Sequence, residues 1–488
     1  MAKVFRNKTV LQILDYYKNL WALGYVSNVA HWDLETYMPV KGAATRGEAL
    51  GRISVIRQKM FLDKEFVSLI HEASETKGLN DYEKGVVRVL VRSLKFYEKL
   101  PPAFIEEFEK LTNTATVIWR SAKEKNSYKM FEPSLTKIFD MNRKAAEYLG
   151  YDSSPYDALL DQFEEGLSSG EVEVFFNQIR EPLKDLLTDI KGSKKYQAVH
   201  PLEKTKYDRK KMEELNLKVL KYFWNDFGRF RLDESVHPFT TSFANTDTRI
   251  TSWYHEIDFS RSLLATIHEF GHALYDLQSD PKLEMTPVAG GTSLVIHESQ
   301  SRFWENFIGR DGTFIKKFLP DFERVVGKKL SATDVSLYFN KVSPGPLRVE
   351  ADEVTYHFHI MLRFEIEKAV IEGKMKVKDL PDAWRNKMDE YLEIAPQSES
   401  EGALQDVHWS GGMVGYFPTY SLGTFLGAQW PRGAGIEATK SWLRDHIHKY
   451  GSTYTMQELL AINKMKFDPS VNLNYLRRKY SKIYGLKG

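Results

Sequence analysis

A chain of 488 residues with 42% hydrophobic and 13% aromatic content can bury one large core or several ordinary ones, and is globular. Its 68 Lys and Arg face 66 Asp and Glu, a formal charge of +2, which argues against nucleic acid or an anionic membrane as the main partner and points to a small or peptidic substrate. With no cysteine, it has no disulfides, thiolate metal sites or cysteine nucleophiles, and any metal must use His and carboxylates.

Residues 1–26 lack the uninterrupted apolar core and cleavage site of a signal peptide, and no run of about 18 apolar residues occurs, so the expected location is the cytoplasm. Val10, Ile13, Leu14, Tyr17, Leu20 and Trp21 recur at helical spacing, as do Leu362, Phe364, Ile366 and Ile371, and the predicted class is mainly α. Breaks at "YMPVKG", "KLPPAF", "APQSESEG" and "QWPRGAG" punctuate the chain without reading as flexible linkers, so a single domain over 1–488 is expected. The lysine-rich stretch 191–211 reads as a solvated surface. One segment departs from helical spacing: 237–258, rich in Thr, Phe, Ile, Trp and Tyr with "ANTD" as its break, predicts a short strand pair at the wall of a cleft, where an extended peptide could pair with it.

The next segment carries the chemistry. "DFSRSLLATIHEFGHALYDLQSDP" predicts one helix with Ser260 as N-cap and Asp280-Pro281 as stop. His268 and His272 lie one turn apart on one face, so both imidazoles can reach one zinc ion, with Glu269 beside them as a general base for the attacking water. Gly271, inside the helix, costs about 1 kcal/mol relative to Ala and is explained by close approach of another element to the backbone. A catalytic zinc takes three protein ligands and keeps an open position, so a third ligand is needed. The stretch "GGTSLVIHESQSRFWENFIG" predicts a second helix, from a Thr292 N-cap to Gly309. Glu298, 26 residues after His272, is the favoured third ligand. Its neighbour His297 is the rival, because consecutive helical residues point about 100° apart and cannot both face the metal. A buried ion pair of Glu298 with Arg302 is the competing structural role. Eight of the thirteen histidines lie between 237 and 408, five of them within 237–297; His31, His71, His200, His446 and His448 read as ordinary residues. His357 and His359 sit two apart on nearly opposite faces of a helix and also read as structural.

Six motifs follow in order: "HPF" at 237, "DTRIT" at 247, "HEFGH" at 268, "HESQ" at 297, "LRVEAD" at 347 and "GALQDVHW" at 402. In this the chain resembles the thermostable carboxypeptidase family of zinc metallocarboxypeptidases, distant relatives of angiotensin-converting enzyme and neurolysin. "HWDLETYMP" at 31 extends the likeness toward the N-terminus. One departure is visible: Leu347 stands where the family has Ile or Val. Unlike in thermolysin-type zincins, the residue four after Glu298 is Arg302 rather than Asp. The resemblance implies two helical halves flanking a deep groove partly covered by the N-terminal helices, a homodimer, and zinc, with cobalt or manganese as substitutes that His and carboxylate ligands discriminate weakly.

A carboxypeptidase needs a cation for the substrate's terminal carboxylate, and Arg grips a carboxylate with two parallel hydrogen bonds. Arg348, with Asp352 one turn on to orient it, is the candidate that the resemblance favours; Arg249 looks like a gate limiting how far the peptide extends. Tetrahedral intermediates need additional donors. By similarity to related peptidases Tyr420 is the first choice, ahead of His408, with Tyr416 nearby. His237 and Gln405 are expected as substrate contacts or supports of the ligands. The expected activity is hydrolysis of the last peptide bond of substrates with a free C-terminal carboxylate. The alternatives are an oligopeptidase that cuts internally or removes dipeptides with the same metal residues, and a non-catalytic helical protein with a structural metal.

Overall fold

Residues 4–486 are described by a computed structural model, and its helices bear out the mainly α class. The chain divides into two units built from interleaved segments. The first comprises Met1–Lys95, Pro201–Val335 and Trp430–Phe467, the second Phe96–His200, Ser336–Gln429 and Asp468–Gly488. No helix among the described residues is long and apolar enough to cross a membrane.

In the first unit, α1 (Lys8–Thr36) starts at Asn7, whose side chain accepts from the Val10 backbone N–H and so satisfies one of the unpaired donors of the first turn. It buries Val10, Ile13, Leu14 and Leu20 against Phe66, Ile70 and Leu90 of the two helices that follow later in this segment. By contrast α2 (Ala43–Phe61) packs on α1 without burying any residue fully. The expected strand pair is present: β2 (Thr240–Ala244) and β3 (Asp247–Ser252) are antiparallel, with a bulge between Ser242 and Ala244. A third strand, β1 (Phe230–Glu234), was not foreseen and pairs parallel to β3, giving the order β1-β3-β2.

Against this sheet lies α3 (Phe259–Leu277), the helix of the "HEFGH" motif. Leu263, Ile267, Phe270 and Leu274 recur at helical spacing and are fully buried, with Phe270 among Phe223, Phe230 and Trp304. Its start differs from expectation. Asp258 occupies the cap position at φ 61°, and its carboxylate accepts from Ser260 Oγ at 2.6 Å and Arg261 Nε at 3.1 Å, so Ser260 supports the cap residue rather than being it. The helix ends at Leu277, before Asp280-Pro281, which open a separate short turn. The second predicted helix is α4 (Leu294–Arg302), continued by a π-helical turn over Phe303–Gly309, so Gly309 does end it. Its N-cap is Ser293, which accepts from Ile296 N–H; Thr292 instead donates to the Tyr454 carbonyl.

The second unit is organised around α5 (Tyr356–Ile371), buried on nearly every side. Its Glu367 is completely enclosed and accepts from Tyr156 OH at 2.6 Å, Trp409 Nε1 at 2.6 Å and Gly415 N–H at 2.9 Å. Burial lifts this carboxyl to about 7 against those three donors. The network pins the loop 402–417 and the start of α6 (Pro418–Gly427), which carry several of the predicted site residues. Both His357 and His359 are buried in α5, in keeping with a structural reading, and His357 Nδ1 lies 3.0 Å from Ser421 Oγ.

Candidate active site

In the first unit, α3 and α4 bring His268, His272 and Glu298 together, with one ligand atom of each within 4.8 Å of the others. Glu298 Oε2 stands 3.8 Å from His268 Nε2 and 3.7 Å from His272 Nε2. Two atoms on one tetrahedral ion with ligands near 2.1 Å lie roughly 3.4 Å apart, so this donor set fits a single divalent metal with little movement. His297 is outside the cluster; its Nε2 faces Asp276 Oδ1 at 4.0 Å. The Glu298–Arg302 pair forms as well, Arg302 Nε holding Oε1 at 2.7 Å. The two roles are compatible because Arg302 occupies one carboxylate oxygen and leaves the other toward the histidines.

Glu305, which sequence reading missed, accepts through Oε2 from His268 Nδ1 at 3.0 Å. It is in turn paired with Arg302 at 3.1 Å and Arg310 at 2.9 Å. Burial alone would raise its carboxyl, but Arg302, the His268 bond and Arg310 hold it well below the usual range, so it stays a carboxylate that fixes the His268 ring. Burial likewise opposes a charge on His268, yet Glu298 and Glu305 outweigh it and raise the pKa. His272, buried beside His268 and His297, is pushed well down and is neutral, the form that ligates a metal.

Glu269 is buried between α3 and β2. Thr240 Oγ1 donates to its Oε2 at 2.6 Å and also reaches its backbone carbonyl at 3.0 Å. Burial raises its pKa, against the lowering effect of His268 and the Thr240 bond. Thr240 was also missed; its signal was its place on the predicted strand beside the "HEFGH" helix. Gly271 behaves as its sequence position suggested. A Cβ there would lie 2.6 Å from both Gln300 O and Ser301 Cα, backbone atoms of α4. Gly271→Ala should therefore cost about 1–3 kcal/mol through overpacking, after any gain in helix propensity, and weaken metal affinity by moving the helix that carries Glu298. Chemical unfolding and metal titration read both, and a variant matching the parent in each would show that the close approach does not matter.

Two other predicted residues of this unit are not members of the ligand cluster. His237 is exposed in the loop before β2. Arg249, on β3, is held bidentately by Asp247 at 2.8 Å through Nε and Nη2 and stacks on Trp32 at 4.6 Å and Phe243 at 4.8 Å.

The second unit gathers Arg348, Gln405, His408 and Tyr420. The expected Asp352 partner of Arg348 is wrong: Asp352 accepts from Val354 N–H, Thr355 N–H and Ser343 N–H, holding the backbone ahead of α5. Arg348 instead gives Nε at 3.0 Å and Nη2 at 2.9 Å to Asp406 Oδ1, while Arg363 Nε takes Asp406 Oδ2 at 2.7 Å. Burial would raise the Asp406 carboxyl, but the two guanidinia hold it far below the carboxylate range. One carboxylate between two guanidinia leaves an excess positive charge in a buried place. Gln405 fixes the Arg348 backbone, accepting its N–H at 2.9 Å and donating to Pro346 O and Glu401 O. Tyr420 lies under the Arg348 guanidinium at 5.1 Å, with its OH 3.2 Å from His408 Nε2. Burial lowers His408 to about 4, so its ring is neutral at pH 7. Tyr416 stacks at a tilt on His408, 5.3 Å between ring centroids. Asp406 and Arg363 were not singled out beforehand, though Asp406 lies within the "GALQDVHW" motif.

Residues 12–480 match the model of the carboxypeptidase Taq (M32) metallopeptidase family. The chain is similar to thermostable carboxypeptidase 1 of Pyrococcus furiosus, 46% identical over 98% of this chain and 100% of that protein. It is 34% identical to carboxypeptidase 1 of Bacillus subtilis, over 97% and 98% of the two chains. The apo-Mg structure of the Pyrococcus furiosus carboxypeptidase superposes with a TM-score of 0.95 at 45% identity, covering 98% of this chain and 100% of that one.

Proposed function

Because the chain belongs to the carboxypeptidase Taq (M32) metallopeptidase family and is a metallocarboxypeptidase, we propose that His268, His272 and Glu298 hold its divalent metal and that Glu269 is its general base. The observation that carries this reading is the convergence of the three ligand atoms within 4.8 Å with the Glu269 carboxylate on the same helix. Zinc is the ion we assign, with cobalt or manganese as substitutes, since two imidazoles and one carboxylate suit all three. When bound, the ion supplies Lewis acidity, which polarises the scissile carbonyl and lowers the pKa of water.

The residues of the chain do the rest. Thr240 occupies Glu269 Oε2, which leaves Oε1 to take a proton from the attacking water. The same oxygen returns the proton to the departing amine nitrogen as the C–N bond breaks, so a free C-terminal amino acid leaves. Arg348 binds the terminal carboxylate; its support is the excess positive charge it shares with Arg363 over Asp406. Tyr420 is the first choice as donor to the oxyanion, ahead of His408, whose Nε2 lies 3.2 Å from the Tyr420 OH and orients it. Gln405 positions Arg348, Arg249 limits peptide extension and His237 contacts substrate. We further assign the enzyme to the cytoplasm, and to a homodimer by likeness to the family.

One experiment tests the core of this: metal analysis together with timed amino-acid release from one peptide in free-acid and amidated forms. Amidation should cut kcat/KM by about a hundredfold, the loss typical of removing one partner of a buried charge pair. Equal cleavage of both forms would overturn the Arg348 assignment and favour internal cutting.

A further inference from the structure

A cavity of about 340 Å³ within the first unit adjoins the proposed metal cluster. His297, the residue before Glu298, lines it, and the His297 ring lies 5.6 Å from that of His272. Its chemistry is not that of an ordinary apolar side-chain pocket. Asp276, one turn beyond His272 on α3, faces the space with its side chain 12% exposed, and its carboxylate accepts no hydrogen bond from any described residue. Among the described residues, His297 Nε2 is its one ion-pair contact, at 4.0 Å. Burial, reinforced by Glu284, lifts this carboxyl to about 7. Glu284 lines the same cavity and accepts one backbone N–H, that of Asn245, at 2.7 Å.

Aromatic side chains line the cavity as well: Trp21 and Tyr25 of α1 have ring centroids 5.5 Å apart, and Tyr25 lies 5.6 Å from Phe243 of β2. One cation, Arg57 of α2, also lines it, packed beside Gly24 of α1. Two acids share the cavity with one guanidinium, so a further cation entering it would hold both as carboxylates. A neutral side chain entering it would bury the Asp276 carboxyl without a partner, whereas an ammonium or guanidinium gains both ion pairing and the π faces.

We propose that this cavity is a substrate side-chain subsite for Lys or Arg, in which Asp276 and Glu284 pair with the cation while Trp21, Tyr25 and Phe243 flank its stem. The subsite rests on the metal-centre reading above, because closeness to His272 is what makes the cavity part of the active site. The test uses the metal-loaded enzyme and a peptide series carrying Lys, Arg, norleucine or Glu in turn at each of the last three positions. At one of these positions Lys and Arg should exceed norleucine by about tenfold in kcat/KM, with Glu below it, as expected for a charge-assisted pair. In Glu284→Gln and in the Asp276→Asn/Glu284→Gln double variant the Lys-to-norleucine ratio should fall toward one. The single variant keeps the test intact if the double one folds poorly. Ratios within about twofold at all three positions, or a preference that survives the variants, would overturn the subsite alone. Failure of the metal-loaded parent to cleave even the norleucine peptide would sink the catalytic reading and the subsite with it.

Discussion

Glu269→Gln should lower kcat by about 10²–10⁴-fold, the contribution of a positioned general base, while the protein keeps its metal at unchanged stoichiometry. The separation of the two effects follows from the geometry. The donor cluster is His268, His272 and Glu298, and Glu269 is not among its members. A glutamine amide oxygen can still accept from Thr240 Oγ1, so the side chain stays against β2 where that 2.6 Å bond now holds it. What is lost is the ability to take and return a proton. Amino-acid release under saturating peptide, beside metal analysis of the same sample, reads both quantities. A variant with near-parent activity would remove Glu269 from the mechanism, and one that loses its metal would make it a ligand or a support for one. Glu298→Gln offers the contrasting case, in which metal retention and activity should fall together, since a neutral amide replaces the one anionic ligand.

What could be read beforehand was what depends on local spacing. His268, Glu269 and His272 are fixed relative to one another by a helix of known pitch; the same 100° step lets only one of Glu298 and His297 join them, and Glu298 is preferred because two histidines and a glutamate are the commoner ligand set. Gly271 was legible because a glycine inside a helix has a cost that only a neighbour explains, and that neighbour is the α4 backbone at Gln300 and Ser301. Failures came where partners are distant in sequence or the local rule changes. Glu305 lies in a π-helical turn, where α-helical spacing no longer says which residues share a face with Glu298. For Arg348, the one-turn rule pointed to Asp352, but tertiary packing delivers Asp406, 58 residues away. β1, "FRLDE", has two acids and one Arg in five residues and carries little strand signal; its place is set by pairing with β3. At the start of α3, Asp258 in the left-handed region displaced the expected Ser260 cap, a backbone choice that side-chain type did not announce.

Asp406→Ala should be the most destabilising of these substitutions, by about 3–5 kcal/mol, because it leaves two buried guanidinia facing each other without their shared carboxylate. Arg348 and Arg363 are both buried and both hydrogen-bond Asp406, through Oδ1 and Oδ2 respectively. Removal therefore adds like-charge repulsion to the loss of the ion pairs, whereas an Arg363→Met exchange removes one charge and leaves Arg348 its carboxylate. The pH dependence has a definite sign. The folded Asp406 pKa is depressed by the two guanidinia against the effect of burial, so its stabilisation is fully present above the unfolded value, about 3.9, and is lost as pH falls through the lower folded value. The stability gap between parent and Asp406→Ala should accordingly be flat from pH 8 to about 5 and close only in stronger acid. Denaturant unfolding across that range measures it, and a gap that narrows near neutral pH would assign the stabilisation to another group. If the variant still folds at 25 °C, its KM for free-acid peptides should also rise, since Asp406 is what orients the Arg348 fork through Nε and Nη2.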